Sequence, residues 1–149
     1  MPPSLTLVVQ TEEPWQAIAE TILQRKWSQA EAEDWPQTQR WEESRVWVGD
    51  SRPMSWDPVL TDLGIDYRVK AGFIYNKERS MYDQTSAALR AAARVHDAHG
   101  GAGALHFQGD DVLLRWTDER LVVNELSSFK DQAVEVLGPG VDVEPIPWE

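Results

Sequence analysis

The chain has 149 residues, 42% of them hydrophobic and 26% charged, the proportions of one globular domain able to bury a core without staples. It contains no cysteine, which excludes a disulfide framework, a thiolate nucleophile and a zinc–thiolate site. A net charge of −11 opposes binding to nucleic acid or to an anionic membrane, since either would be repelled.

Leu5 to Gln10 reads as a short, largely buried strand. An amphipathic helix is predicted over about 12–27, with Thr11 as its N-cap and Glu12 and Glu13 where the helix dipole favours acids. Pro14 falls in its first turn, and Trp15, Ile18, Ala19, Ile22 and Leu23 form its apolar stripe. Residues 28–44 read as polar and irregular, with Asp34-Trp35-Pro36 breaking any helix. Arg45 to Val48 reads as a short strand ended by Gly49-Asp50, and 51–64, with Pro53 and Pro58, as a long loop.

Strict alternation makes Ile65 to Tyr75 the clearest strand, with Ile65, Tyr67, Val69, Ala71, Phe73 and Tyr75 on one face. A second helix is predicted from about Ser80 to His99, its inner face carrying Met81, Thr85, Ala88, Ala92 and Val95. Gly100-Gly101 is its stop. Ala104–Phe107, Val112–Trp116 and Leu121–Asn124 then form a meander, and the tail ends in a weak extended segment, Val141 to Trp148. The order β-α-β-β-α-β-β-β predicts one α+β domain over 1–149. It is a two-layer sandwich, with a mainly antiparallel sheet of about six strands and two helices on one face.

The opening residues lack the basic and long apolar stretches of a secretory signal, and no run approaches a membrane span. The expectation is a soluble cytoplasmic protein. Charge is uneven along the chain: residues 1–50 hold 9 acids and 4 bases, 51–100 hold 6 and 7, and 101–149 hold 10 and 3. A basic protein is the natural complement to the two acidic ends.

No catalytic constellation emerges. His96, His99 and His106 have spacings that a metal could use, but a helix C-terminus favours imidazoles by itself, and His106 reads as a half-exposed strand residue. Gly100-Gly101-Ala102-Gly103 follows a helix rather than preceding one, so it is no phosphate cradle. Asp110-Asp111 and Asp118-Glu119 sit in predicted turns, which favour aspartate on backbone grounds. No metal or cofactor is expected. Two rival readings remain: a small-ligand sensor using the open face of the sheet, and a small hydrolase built on one of the histidines.

The tryptophans are more informative. Of the 8, five (Trp27, Trp35, Trp41, Trp47 and Trp56) fall within 30 otherwise polar residues, interleaved with acids that include Glu33, Asp34, Glu42 and Glu43. A large ring with one N–H suits a desolvated anchor, and acids around it would steer a basic partner. The same rings also suit a core, above all Trp47 in its strand. The candidate contact residues are Trp35, Trp41, Trp56, Glu33, Asp34, Glu42 and Glu43, with Asp110 and Asp111 from the meander. On this expectation, alanine at Trp41 and Trp56 weakens partner binding without unfolding the domain.

From the long strand onward the sequence carries Phe73-Ile74-Tyr75-Asn76-Lys77, a helix with Leu89-Arg90, and Gly103-Ala104-Leu105-His106-Phe107-Gln108-Gly109-Asp110. Val112-Leu113-Leu114-Arg115 and Arg120-Leu121-Val122-Val123-Asn124 follow. Over about 70–124 this resembles the swarming-inhibition (Sit) type immunity proteins of myxobacteria and actinobacteria. Gln108 stands where that family usually has the Asn of the turn, and Glu119 where it has Gly. The resemblance implies a non-enzymatic protein that binds and neutralises a toxin delivered between neighbouring cells, with no catalytic residue to carry over.

Overall fold

Strands that alternate apolar and polar side chains, and helices with one apolar stripe, can bury those faces only against each other. The computed structural model describes residues 4–27, 38–42, 44–50, 69–108 and 111–146. In chain order these form β1 (Ser4–Gln10), α1 (Trp15–Leu23), β2 (Thr38–Trp41), β3 (Ser44–Asp50), β4 (Val69–Ile74) and α2 (Met81–His99). β5 (Ala102–Phe107), β6 (Asp111–Trp116), β7 (Leu121–Asn124), α3 (Lys130–Leu137) and β8 (Asp142–Glu144) complete them.

One open sheet runs in the order β2-β3-β4-β1-β5-β6-β7-β8. All neighbours are antiparallel except β7 and β8, which are parallel and joined through α3. The helices lie side by side, α1 over β3 and β4, α2 over β1 and β5, and α3 over β7. The α+β architecture and the mainly antiparallel sheet therefore hold. The numbers change: among the described residues there are eight strands rather than six, and three helices rather than two. The additions are β2, α3 and β8.

Leu5, Leu7 and Val9 of β1, Val46 and Val48 of β3, and Val69, Ala71 and Phe73 of β4 meet Ile18, Ile22, Leu89, Ala92 and Val95 in one cluster. Period two on the strands and period 3.6 on the helices bring these positions together. On β6 the register against β5 shifts after Leu105, so Leu113 is an extra residue and both it and Leu114 enter the core.

The helix ends show why local sequence chose these limits. Ser80 caps α2 by accepting the Asp83 N–H at 3.2 Å, and Gly100 ends it at φ +64° with its N–H on the His96 carbonyl. Helix α1 starts later than expected: the Thr11 hydroxyl accepts the Glu13 N–H in a bend, Pro14 is the N-cap, and Trp15 opens the helix. At its other end Arg94 of α2 donates to the Thr21 and Ile22 carbonyls, at 3.4 and 2.8 Å. Burial pushes the Arg94 guanidinium below its ordinary range, with the Glu42 charge acting in the opposite sense.

Gln24 closes α1 in the left-handed region, φ 58° and ψ 30°, with its N–H on the Glu20 carbonyl. It is an exposed residue in a conformation that glycine adopts without strain. Gln24→Gly is expected to raise stability by about 0.5–1 kcal/mol in a urea titration. An unchanged or lower value would show that the glutamine carries a contact outweighing its backbone strain.

Candidate partner-binding surface

The registers place several loops at one end of the sheet. Trp41 pairs with Ser44, Arg45 with Ile74, Ile74 with Ser4, Leu5 with Phe107, and Phe107 with Asp111. The β2–β3 turn, the start of α2, the β5–β6 turn and the β7–α3 loop therefore share that end, and β1–α1, α2–β5 and β6–β7 share the other.

Two candidate acids belong to this shared end. Glu42 is exposed at the β2–β3 turn with φ 54°. Asp111 opens β6, half-buried, and its carboxylate accepts from the Ser128 N–H at 3.1 Å and from its hydroxyl at 2.5 Å. Five strand spacings separate β2 from β6, about 24 Å. A standard interface of roughly 800 Å² per partner, about 30 Å across, reaches both.

Trp41 does not stand at the surface. It is 6% exposed, belongs to the core cluster and packs its ring on Phe73 at 5.4 Å. Its removal would open a cavity rather than strip an anchor, so the expectation of weakened binding with an intact fold does not apply to it. Trp35, Trp56, Glu33, Asp34, Glu43 and Asp110 lie outside the described residues, as do 65–68 of the strand predicted from Ile65.

Of the other tryptophans in that stretch, Trp47 is half-buried and lies across Gly72 of β4, and Trp27 packs edge-on to Trp15 at 5.2 Å. Two positions that read as interior or passed unread are exposed instead. Met81 and Tyr82 open α2 at 44% and 48% exposure. The Tyr82 hydroxyl donates to Glu135 of α3 at 2.6 Å, and that carboxylate pushes the phenol above its ordinary range.

The histidines go separate ways. His96 Nε2 meets the Thr117 carbonyl at 2.9 Å, and its ring lies 6.4 Å from Trp116. His106 is buried at 5% on β5, not half-exposed. His99 joins Glu13 through Nδ1 and Thr21 through Nε2, the latter at 2.6 Å. Carboxylate, imidazole and hydroxyl in a row is the order of a nucleophilic relay. Here the Thr21 hydroxyl sits within α1 and also bonds the Ala17 carbonyl at 3.1 Å, and the neighbouring backbone N–H groups are engaged in the helix. The row ties the C-terminus of α2 to α1. Among the described residues no group of three histidines or acids is placed to hold a metal ion, and no helix is long and apolar enough to cross a membrane.

A family model described as SitI3-like matches residues 6–132. The chain belongs to the SitI3-like family. Membership puts it with the immunity proteins of toxin–immunity systems, as the resemblance over 70–124 implied, and the match extends that resemblance on both sides. It takes in almost all of β1, all of α1 and α2, every strand through β7, and the first residues of α3. The SitI3-like match ends before β8. No curated protein and no solved structure matches the chain.

Proposed function

We propose that this chain is an immunity protein that binds a cognate toxin domain passed between bacterial cells and neutralises it by covering it, with no catalytic step of its own. The family match over 6–132 carries this reading. The surface chemistry supports it: at a net charge of −11, with both sequence ends acidic, the protein complements a basic toxin and meets it rapidly through electrostatic steering. Its place of action is the cytoplasm of the protected cell. Glu42 and Asp111 are contacts in this reading, together with Trp35, Trp56, Glu33, Asp34, Glu43 and Asp110. Trp41 supports the contact surface from beneath.

Co-expression tests it. The directly upstream gene is expected to encode a large polymorphic secreted protein whose C-terminal domain arrests growth alone, and the intact chain should restore growth and elute with that domain as a stable 1:1 complex. Raising the salt concentration should slow association, because the steering charges are exposed. Arrest that persists in the presence of the chain, with no complex, would overturn the proposal.

A further inference from the structure

Among the described residues four large hydrophobic side chains stand exposed, and three of them belong to connections at the end of the sheet that carries Glu42 and Asp111. Met81 and Tyr82 form the first turn of α2, which follows β4, and Leu126, 64% exposed, lies in the loop from β7 to α3. Single exposed apolar residues are ordinary on a surface, but a group of them inside a polar rim is the mark of an interaction site.

Tyr82 is held in place before any partner arrives. Its hydroxyl is bonded to Glu135, and its backbone carbonyl accepts from Gln132 Nε2 at 2.7 Å, a group also 2.9 Å from the Ser86 hydroxyl. An aromatic ring fixed in this way loses little freedom on binding, which is what makes tyrosine an effective anchor. The flanking segments are mixed in sign but net acidic: Glu78, Asp83, Glu125, Asp131 and Glu135 are exposed, against exposed Lys77 and Arg79 and half-buried Lys130. An apolar centre with a net acidic surround fits a protein surface that offers an apolar recess with an excess of lysines and arginines around it.

We propose that the junction of α2 and α3, centred on Tyr82 and Leu126, is the docking surface for the basic face of the toxin domain. This rests on the immunity reading and adds to it the anchors that the tryptophan-rich segment was expected to provide. The two side chains enter the toxin's apolar recess, and the acids meet its cations at the edge, where they set the rate of encounter more than the lifetime of the complex.

The test uses as its probe the toxin domain identified by the co-expression experiment, with the full chain as the binder. Tyr82→Ala and Leu126→Asp should each raise Kd by about tenfold or more and weaken growth rescue, with the melting temperature unchanged. Tyr82→Phe, which keeps the ring and loses only the bond to Glu135, should fall between them and wild type. Asp131→Lys should slow association, and Glu119→Lys, the same charge change at the opposite end of the sheet, should alter Kd by less than about twofold. A wild-type complex whose affinity survives both Tyr82→Ala and Leu126→Asp would overturn the surface and leave the immunity reading standing. No complex with wild type would overturn that reading, and the surface with it.

Discussion

Asn124→Ala is expected to cost about 3–5 kcal/mol, a large part of the stability of a domain this size. Asn124 is 3% exposed at the end of β7 and serves three backbone groups. Its Nδ2 donates to the Val112 carbonyl of β6 at 2.8 Å, and its Oδ1 accepts from the N–H groups of Leu126 at 3.0 Å and Ile146 at 2.8 Å. Alanine strands all three groups, and each buried orphan costs about 1–3 kcal/mol. The loss is also directional, because the Ile146 bond fastens the end of β8 back onto the sheet. Besides that bond, β8 has its short parallel pairing with β7, the Glu125 N–H on the Glu144 carbonyl, and half-exposed ion pairs from Arg120 to Glu144 and Asp142, which solvent screens; its own three side chains are exposed. Urea denaturation should show the full loss, and limited proteolysis of Asn124→Ala should cut near the tail before the rest of the chain. A loss below about 1 kcal/mol would mean that water replaces the amide.

That residue also shows what the sequence could convey. Asn124 was visible as the closing residue of a family-like pattern, but a pattern does not say whether an asparagine binds a partner or its own backbone. The three bonds answer that, and they explain why an amide suits the position: its N–H donates to one strand while its separate carbonyl oxygen accepts two backbone N–H groups. Alternation marked β1, β3, β4 and the meander, and the Ser80 cap and Gly100 stop bounded α2 to within a residue. The elements that went unread lack such marks. α3 buries only Ala133 fully across eight residues, so packing against α2 and β7 rather than intrinsic propensity makes it a helix. β2 and β8 are edge strands, where sequence is kept polar and short to prevent further pairing. Polarity made β2 look like loop and left β8 as no more than the weak extended segment expected from Val141 to Trp148.

Of the proposed contact residues, Glu42 and Asp111 fall at one end of the sheet, and Trp41 falls in the core. No spacing argument could show that Glu42 and Asp111 share an end, because four strands lie between β2 and β6. The large apolar area that makes Trp41 a candidate anchor suits a core as well as an interface. Burial decides between them, and burial depends on Phe73, a partner far away in sequence. Tyr82 and Leu126 carry no periodic signal. They became candidates only when the fold left them uncovered.

Gly103→Ala is expected to cost about 3 kcal/mol, although alanine in a strand is normally favoured over glycine by about 0.5–1 kcal/mol. Gly103 of β5 pairs with Trp116 of β6, and a Cβ there would fall well inside 3.0 Å of the indole. Trp116 is 1% exposed in the core cluster, and its Nε1 finds no hydrogen-bond partner among the described residues, so packing alone locates the ring and leaves it nowhere to move. Gly72 of β4 faces Trp47 of β3 in the same way, as closely, and Trp47 is only half-buried. An indole that can swing toward solvent yields, so Gly72→Ala should cost about 1 kcal/mol or less. The contrast separates steric confinement from the contact distance itself, which is alike in the two pairs. Trp116→Phe in the Gly103→Ala background should recover part of the loss, because the smaller ring makes room, and a double-mutant cycle would report that coupling. Equal losses at Gly103 and Gly72, with no recovery from Trp116→Phe, would show that the cost lies in the strand backbone and not in the buried ring.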